Sequence, residues 1–254
     1  MPTAQPLSTI GNWNAALSEA LDIIYQDESI VAIHKPAGLL VHRSDIDRHE
    51  THFAVQQLRD QIGQPVFPAH RLDKATSGLM LFALDSDSCQ RLMTQFAELQ
   101  IDKTYWAIVR GWPVEQGVID HPLTRIKDPY DKPRQKFEAQ DAVTEFKRLQ
   151  TFSLPIAIDR YPEARYALVE AKPQTGRRHQ IRRHLKHISH PIIGDVRYGK
   201  GNHNRLFREQ LGIERMLLAC TAMTFTHPQT GERLQLECPV EASFQTAIEK
   251  LGKM

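Results

Sequence analysis

Apolar and polar residues follow each other along this chain with a period that changes, and the changes mark its elements. Ile23-Ile24-Tyr25 and Ile30 to Ile33 are short apolar runs around Asp27-Glu28-Ser29, which predicts two strands about a turn. Pro36 and Gly38 break the pattern before Leu39-Leu40-Val41. Between Phe53 and Ile62, the residues Val55, Leu58 and Ile62 fall at helical spacing. Leu79 to Leu84 is an unbroken apolar run, as expected of a strand buried on both faces. Ser86 is then expected to cap a helix that turns Cys89, Leu92, Met93, Phe96 and Leu99 inward. Lys103 to Val109 predicts another strand, closed by Gly111 and Pro113, with Tyr105 and Ala107 on one face and Trp106 on the other.

The stretch from Leu123 to about Ala142 is polar, contains Pro129 and Pro133, and is expected to be a long surface excursion. Val143 to Leu149 and Tyr166 to Ala171 predict paired strands, with Asp159-Arg160-Tyr161-Pro162 in their connection. A helix is expected from near Thr175-Gly176, burying Ile181, Leu185 and Ile188 and carrying arginines on its other faces. Strands over Arg215–Leu218 and Met223–His227 precede a turn at Thr230-Gly231-Glu232, a strand over Leu234–Glu237 and a helix from near Glu241. Locally paired strands with a few interspersed helices predict an α+β fold, its mixed sheet largely antiparallel and flanked by helices. Met1 to Ser18, with Pro2 and Pro6, is expected to be an N-terminal extension, leaving residues 19–254 for one domain.

Composition adds bounds. The chain has 254 residues, 41% apolar and 24% charged, which suits a globular enzyme with a substantial core. The net charge of +2 by itself announces no polyanion. The distribution says more: Lys172, Arg177, Arg178, Arg182, Arg183 and Lys186 fall in one stretch without an acidic residue. Such a run is either a nucleic-acid face or a solvated helix face. Three cysteines without Cys-x-x-Cys spacing give no disulfide framework and favour a reducing compartment. No run reaches the roughly 18 apolar residues of a membrane span, and no signal peptide is recognisable, so a cytoplasmic protein is expected.

The chemistry concentrates in His70-Arg71-Leu72-Asp73-Lys74-Ala75-Thr76-Ser77-Gly78, directly before the apolar strand. A core strand needs no Asp at its entrance. Asp73 is a candidate nucleophile, which must stay ionised although burial raises its pKa, and therefore needs a cation nearby. The alternative is a carboxylate that merely bonds the amides of Thr76 or Ser77. Gly176-Arg177-Arg178-His179-Gln180-Ile181-Arg182 offers cations, with Arg178 and Arg182 expected on one helical face. Tyr105 is either a pocket residue or a packed core residue. His184, His187 and His190, with His179 nearby, raise a metal reading, but no His-Glu-x-x-His occurs and the surroundings are basic. Gly-x-Gly-x-x-Gly, Walker and Gly-x-Ser-x-Gly motifs are absent, so nucleotide cofactors and serine hydrolysis have no support.

His70–Asp73 with Thr76-Ser77-Gly78 resembles the first signature of the RluA family of pseudouridine synthases. Lys103 to Gly111 is similar to its second motif and Gly176 to Arg182 to its third, in family order. Val41-His42-Arg43-Ser44, Arg59 to Gln64, Arg160-Tyr161-Pro162 with Arg165-Tyr166, and Arg182 to Leu185 further resemble the branch that modifies uridine 65 of tRNA. An S4 RNA-binding domain, frequent in the rRNA-acting branch, finds no room before the first strand. The resemblance implies a monomeric, cofactor-free isomerase acting on RNA. Uridine is flipped out, its bond to N1 breaks, the base rotates, and C5 joins the ribose. It also implies Asp73 as nucleophile, attacking C1′ or C6, with Arg182 as its cation and Tyr105 stacked on the base and helping to remove the C5 proton. Arg71 would fill the vacated stack, Leu218 would lie beneath the base, and Arg177, Arg178, Arg183 and Lys186 would meet phosphates. The same chemistry on 23S rRNA and a non-catalytic RNA-binding protein are the alternatives. Leu218-Ala219-Cys220 departs from the family's Leu-His-Ala, Lys74 replaces a usual Arg, and Arg178 replaces a frequent Thr.

Overall fold

A computed structural model describes residues 20–43, 51–127, 131, 136–159 and 161–253. The extension read over Met1–Ser18 lies outside them, as do Ser44, Pro129, Pro133 and Arg160. Twelve strands are described: β1 (Asp22–Gln26), β2 (Ile30–Lys35), β3 (Phe67–Pro68), β4 (Ser77–Ala83), β5 (Asp102–Arg110), β6 (Gln116–Asp120), β7 (Leu123–Thr124), β8 (Ala139–Gln140), β9 (Val143–Leu154), β10 (Ala164–Pro173), β11 (Leu218–Thr226) and β12 (Arg233–Glu237). The helices are α1 (Ala54–Ile62), α2 (Ser86–Ala97), α3 (Gln180–His187), α4 (Gly201–Leu206), which runs into a wider turn at Phe207–Leu211, and α5 (Ala242–Lys253).

One sheet runs β1-β2-β4-β11-β5-β10-β9-β6, with β3 added on β4 and β12 on β11; β7 and β8 form a separate ribbon. Among the named strands only β4 and β11 pair in parallel. The α+β fold with a mainly antiparallel sheet is therefore as expected. No described helix is long and apolar enough to cross a membrane. Alternation along β5 divides the core as predicted. Tyr105, Ala107 and Val109 join a cluster with Ile181 and Leu185 of α3, while Ile108 and Trp106 join Phe207 and Phe244 on the opposite face. Burial of Ile181 and Leu185 contributes about 1.5–3 kcal/mol each and presses α3 onto the sheet.

The differences from the sequence reading are instructive. Strand β11 is continuous where two strands were expected, because its register slips between Cys220 and Ala222 and interrupts the alternation. Helix α2 is capped by Asp85, not Ser86: its carboxylate accepts the Ser88 N–H at 2.8 Å. Met93 and Leu99 remain about half exposed, and Leu99 lies beyond the end of α2, at φ +60°. Helix α3 begins at Gln180 rather than near Gly176, because His179 adopts φ +58°, a left-handed conformation no α-helix contains. The β7–β8 ribbon occupies ground where loop was expected, and β6 forms in a stretch to which the sequence reading assigned no element.

Gly78, which ends the first motif, sits where β4 and β11 approach each other. It has φ +103°, and a Cβ there would lie 2.1 Å from the Cys220 carbonyl oxygen. Gly78→Ala is expected to cost at least about 2 kcal/mol by thermal unfolding. A variant melting with the wild type would remove this requirement.

Candidate active site

Asp73 lies in the loop between β3 and β4, and that loop is anchored from two sides. Beneath it, the His70 ring stacks on Phe96 at 4.6 Å between centroids, and His70 Nε2 accepts the Leu81 N–H at 3.0 Å. Burial pushes His70 down to about 3, which keeps the ring neutral and able to accept. Beside it, the fully buried Lys35 donates to the carbonyls of Pro36 (2.8 Å), Leu39 (2.8 Å) and Lys74 (3.3 Å). The turn itself is closed by the Thr76 N–H donating to the Asp73 backbone carbonyl at 3.0 Å. The carboxylate is thus released from the turn-stabilising task that was its alternative reading.

That carboxylate meets Arg182, which donates from Nη1 to Asp73 Oδ2 at 2.8 Å. The other edge of the guanidinium grips Asp195, from Nε at 2.7 Å and from Nη2 at 3.0 Å. This two-point fork holds the planar cation in one orientation. Asp195 is buried and also accepts the backbone N–H groups of Arg197 and Tyr198, each at 2.9 Å. Burial alone would raise the Asp195 pKa, but these donors bring it below the usual carboxylate range. Burial alone would likewise lower the pKa of Arg182, whereas the Asp195 and Asp73 carboxylates raise it. Arg182 is therefore 7% exposed and enclosed by the fold, not on an outward helix face as expected. Arg178 does not share its face; it is an exposed residue of the turn before α3.

Gln180 shapes that turn. Its Oε1 accepts from the Thr175 hydroxyl at 2.7 Å and from the Arg177 N–H at 3.0 Å, and its Nε2 donates to the Val143 carbonyl at 2.9 Å. The resulting bend delivers His179 to 3.7 Å from Asp73 Oδ1, with its Nδ1 3.0 Å from the Tyr198 hydroxyl. Burial pushes His179 down to about 4, so it is neutral and Arg182 carries the charge that faces Asp73.

Asp73, His70, His179, Gln180 and Arg182 line a cleft of about 350 Å3. It brings together Asp73, Arg71, Tyr105, Arg177 and Arg182 from three separate motifs, and Leu218 from outside them, all expected in one site. Tyr105 is 9% exposed, and burial, reinforced by Cys220 and Asp73, holds its phenol protonated well above its ordinary range. Arg178, Arg183 and Lys186 lie outside the cleft lining: Arg183 donates to the Thr124 carbonyl at 2.9 Å, and Lys186 stands over the Tyr198 ring at 5.7 Å. Sequence reasoning missed Asp195, Lys35, His179 as a neighbour of Asp73, and the cleft residue Lys103. Asp195 had a signal of the same kind as Asp73, a carboxylate immediately beyond an apolar run, Ile192-Ile193-Gly194.

The histidines of the basic helix are engaged otherwise than with a metal. His184 lies between Thr144 Oγ1 (2.9 Å) and the His121 carbonyl (3.0 Å), His187 stacks on His121, and His190 meets the Arg110 carbonyl at 2.8 Å. No group of three His, Cys, Asp or Glu among the described residues is arranged to hold a metal ion. The cleft therefore presents an aspartate oriented by a buried arginine, a neutral phenol, an apolar wall at Leu218 and a basic rim. Its size and chemistry suit one nucleobase beside a phosphodiester backbone.

The family model for RNA pseudouridylate synthase matches residues 29–187. The Vibrio parahaemolyticus protein named tRNA pseudouridine synthase C is 50% identical over 230 residues, 89% of this chain and 92% of that one. Its Yersinia pestis namesake is 46% identical over 237 residues, 91% of each chain. The solved structure of human RNA pseudouridylate synthase domain containing 4 has a TM-score of 0.70 at 29% identity, over 93% of this chain and 96% of that one. The chain belongs to the RNA pseudouridylate synthase family. It is an isomerase of the RluA type that converts uridine in RNA to pseudouridine, as the three motifs implied.

Proposed function

We propose that this enzyme isomerises one uridine of tRNA, at position 65, to pseudouridine, with Asp73 as nucleophile and the base flipped into the cleft. The observation that carries the mechanism is the Arg182–Asp73 contact at 2.8 Å in a cleft that also contains Tyr105 and Leu218. Relatives named tRNA pseudouridine synthase C at 45–50% identity support tRNA over rRNA as the substrate.

Asp73 attacks the flipped nucleoside at C1′ or C6 while Arg182 keeps its carboxylate charged in a partly dehydrated cleft. The C1′–N1 bond breaks, the uracil turns, and a C1′–C5 bond forms. An Asp73 ester at C1′ is displaced as that bond forms, whereas an adduct at C6 is released afterwards; the C5 proton leaves and N1 takes one up, so no atoms are gained or lost and no cofactor is needed. Tyr105 stacks on the base, and its hydroxyl takes part in moving the C5 proton. Arg71, exposed at the cleft mouth, fills the gap in the RNA stack, whose opening costs a few kcal/mol. Arg177, Arg178, Arg183 and Lys186 position the RNA through its phosphates. The protein acts as a cytoplasmic monomer, with residues 19–254 as its catalytic domain.

The test is tritium release from tRNA labelled at uridine C5, followed by mapping of the modified position. Release from rRNA alone would overturn the substrate, and a product at another tRNA position would overturn the site. For Lys186→Ala, weaker RNA binding is expected, with the slope of log affinity against log salt shallower by about 1. An unchanged slope would take Lys186 off the phosphate path.

A further inference from the structure

At the far end of β5 and β10 from the catalytic cleft lies a second concavity, of about 430 Å3, that the isomerisation does not use. Its walls hold Trp112 and Tyr161, which are 39% and 47% exposed, together with Arg110, Arg165 and His190. Two large, partly exposed rings in one concavity form a π-rich surface patch with polar handles. The Trp112 indole N–H donates to the Phe152 carbonyl at 3.0 Å, which fixes the ring plane. The Arg165 guanidinium lies over that ring at 4.5 Å and is itself held by Glu163, whose Oε1 accepts from Nε at 2.5 Å. Gly111, at φ +78°, brings the chain so close that a Cβ there would meet His190 Nδ1 at 3.0 Å.

The register relates this concavity to the cleft. Ala171 pairs with Tyr105, Val169 with Ala107 and Ala167 with Val109, so these residues share one sheet face. Two residues before Ala167, Arg165 continues that face, and its carbonyl accepts the Gly111 N–H. From Ala171 to Arg165 is about 20 Å along an extended strand. Helix α3 packs over the interval: His179 lines the cleft before its first residue, and His190 lines the second concavity after its last. Arg183 and Lys186 lie on the helix between them.

We infer that the Trp112–Tyr161 concavity is a stacking subsite for a second base of the same RNA substrate, a few nucleotides along the strand from the flipped uridine. The inference rests on the reading of this chain as an enzyme of RNA and adds where the substrate is gripped. Every base has a π-face, so a fixed indole with an arginine above it binds a base with little sequence preference. Arg110 and Arg165 outweigh Glu163, the acidic residue of the lining, and leave the concavity net positive, which favours a polyanion over an apolar protein partner, while Arg183 and Lys186 lie on the helix between it and the cleft.

The experiment uses the full chain and bulk RNA tritiated at uridine C5, from cells lacking the enzyme, which contains the substrate whichever RNA class it belongs to. Trp112→Ala and Tyr161→Ala are each expected to raise KM for RNA between about 5- and 150-fold, with kcat within about twofold of wild type. Trp112→Phe, which keeps a ring, is expected to recover most of the loss. Thermal melting of each variant separates misfolding from lost binding, and Tyr161, on the surface, gives a folded variant if Trp112→Ala does not. An unchanged KM in Tyr161→Ala and Trp112→Phe,Tyr161→Ala would overturn the subsite, as would a loss confined to kcat. If the labelled product proves to be rRNA, the tRNA assignment fails while the KM effect still decides the subsite.

Discussion

Asp73→Asn is expected to abolish tritium release, lowering turnover by about 10^4-fold or more, while leaving fold and RNA binding intact. The substitution changes one atom of a side chain that is 25% exposed, and its remaining oxygen still accepts from Arg182. The loop is held by His70, Lys35 and the Asp73 backbone carbonyl, none of which the substitution touches. What disappears is the charge and nucleophilicity of the carboxylate. Parallel measurements of release, RNA affinity and melting temperature check this. Release within tenfold of wild type would show that Asp73 does not attack the substrate, whatever happened to binding.

Arg182→Ala is expected to be inactive and also less stable, by about 3–5 kcal/mol, because it leaves the carboxylate of Asp195 buried without its cation. For a chain of this size that corresponds to a fall in melting temperature on the order of 10 °C. The contact with Asp73 alone would predict a folded, inactive protein; the fully buried Asp195 side chain turns the same variant into a stability test. Its pH dependence has a definite sign. In the wild type Asp195 has a lowered pKa, so its contribution is complete above the unfolded carboxylate range and is lost as acid protonates it. In the variant Asp195 loses the guanidinium and takes up its proton more readily. The stability gap between the two proteins is therefore expected to be widest near neutral pH and to shrink on acidification. A gap that is constant or grows in acid would show that Asp195 does not depend on Arg182. Arg182→Lys restores the charge but not the fork, and an intermediate melting temperature is expected.

Elements announced by local periodicity were legible. The apolar run of β4 and the alternation of β5 both appear where the residues place them. Asp73 was legible for a related reason, as a carboxylate with no packing role at the mouth of a core strand. The start of α3 was not, because a helical apolar pattern extends back through Ile181 without revealing that His179 takes a left-handed conformation. Arg182 was identified as a cation but placed on the wrong side of its helix. Periodicity assigns charged residues to solvent, and only a buried partner reverses that assignment.

Spacing along the chain determines which residues share a strand face or a helix stripe, since those relations repeat over two to four positions. By itself it determined the α+β class and most strands, while the three motifs carrying an aspartate, a tyrosine and an arginine were recognised by their resemblance to a known family. The tertiary structure alone decided that Arg182 and Asp73, 109 residues apart, stand in hydrogen-bond contact, and that Asp195 holds the other edge of the same guanidinium. The reason is physical: a buried cation is set by the anions that the sheet and loops bring around it, and no local pattern of hydrophobicity encodes which distant carboxylates those are.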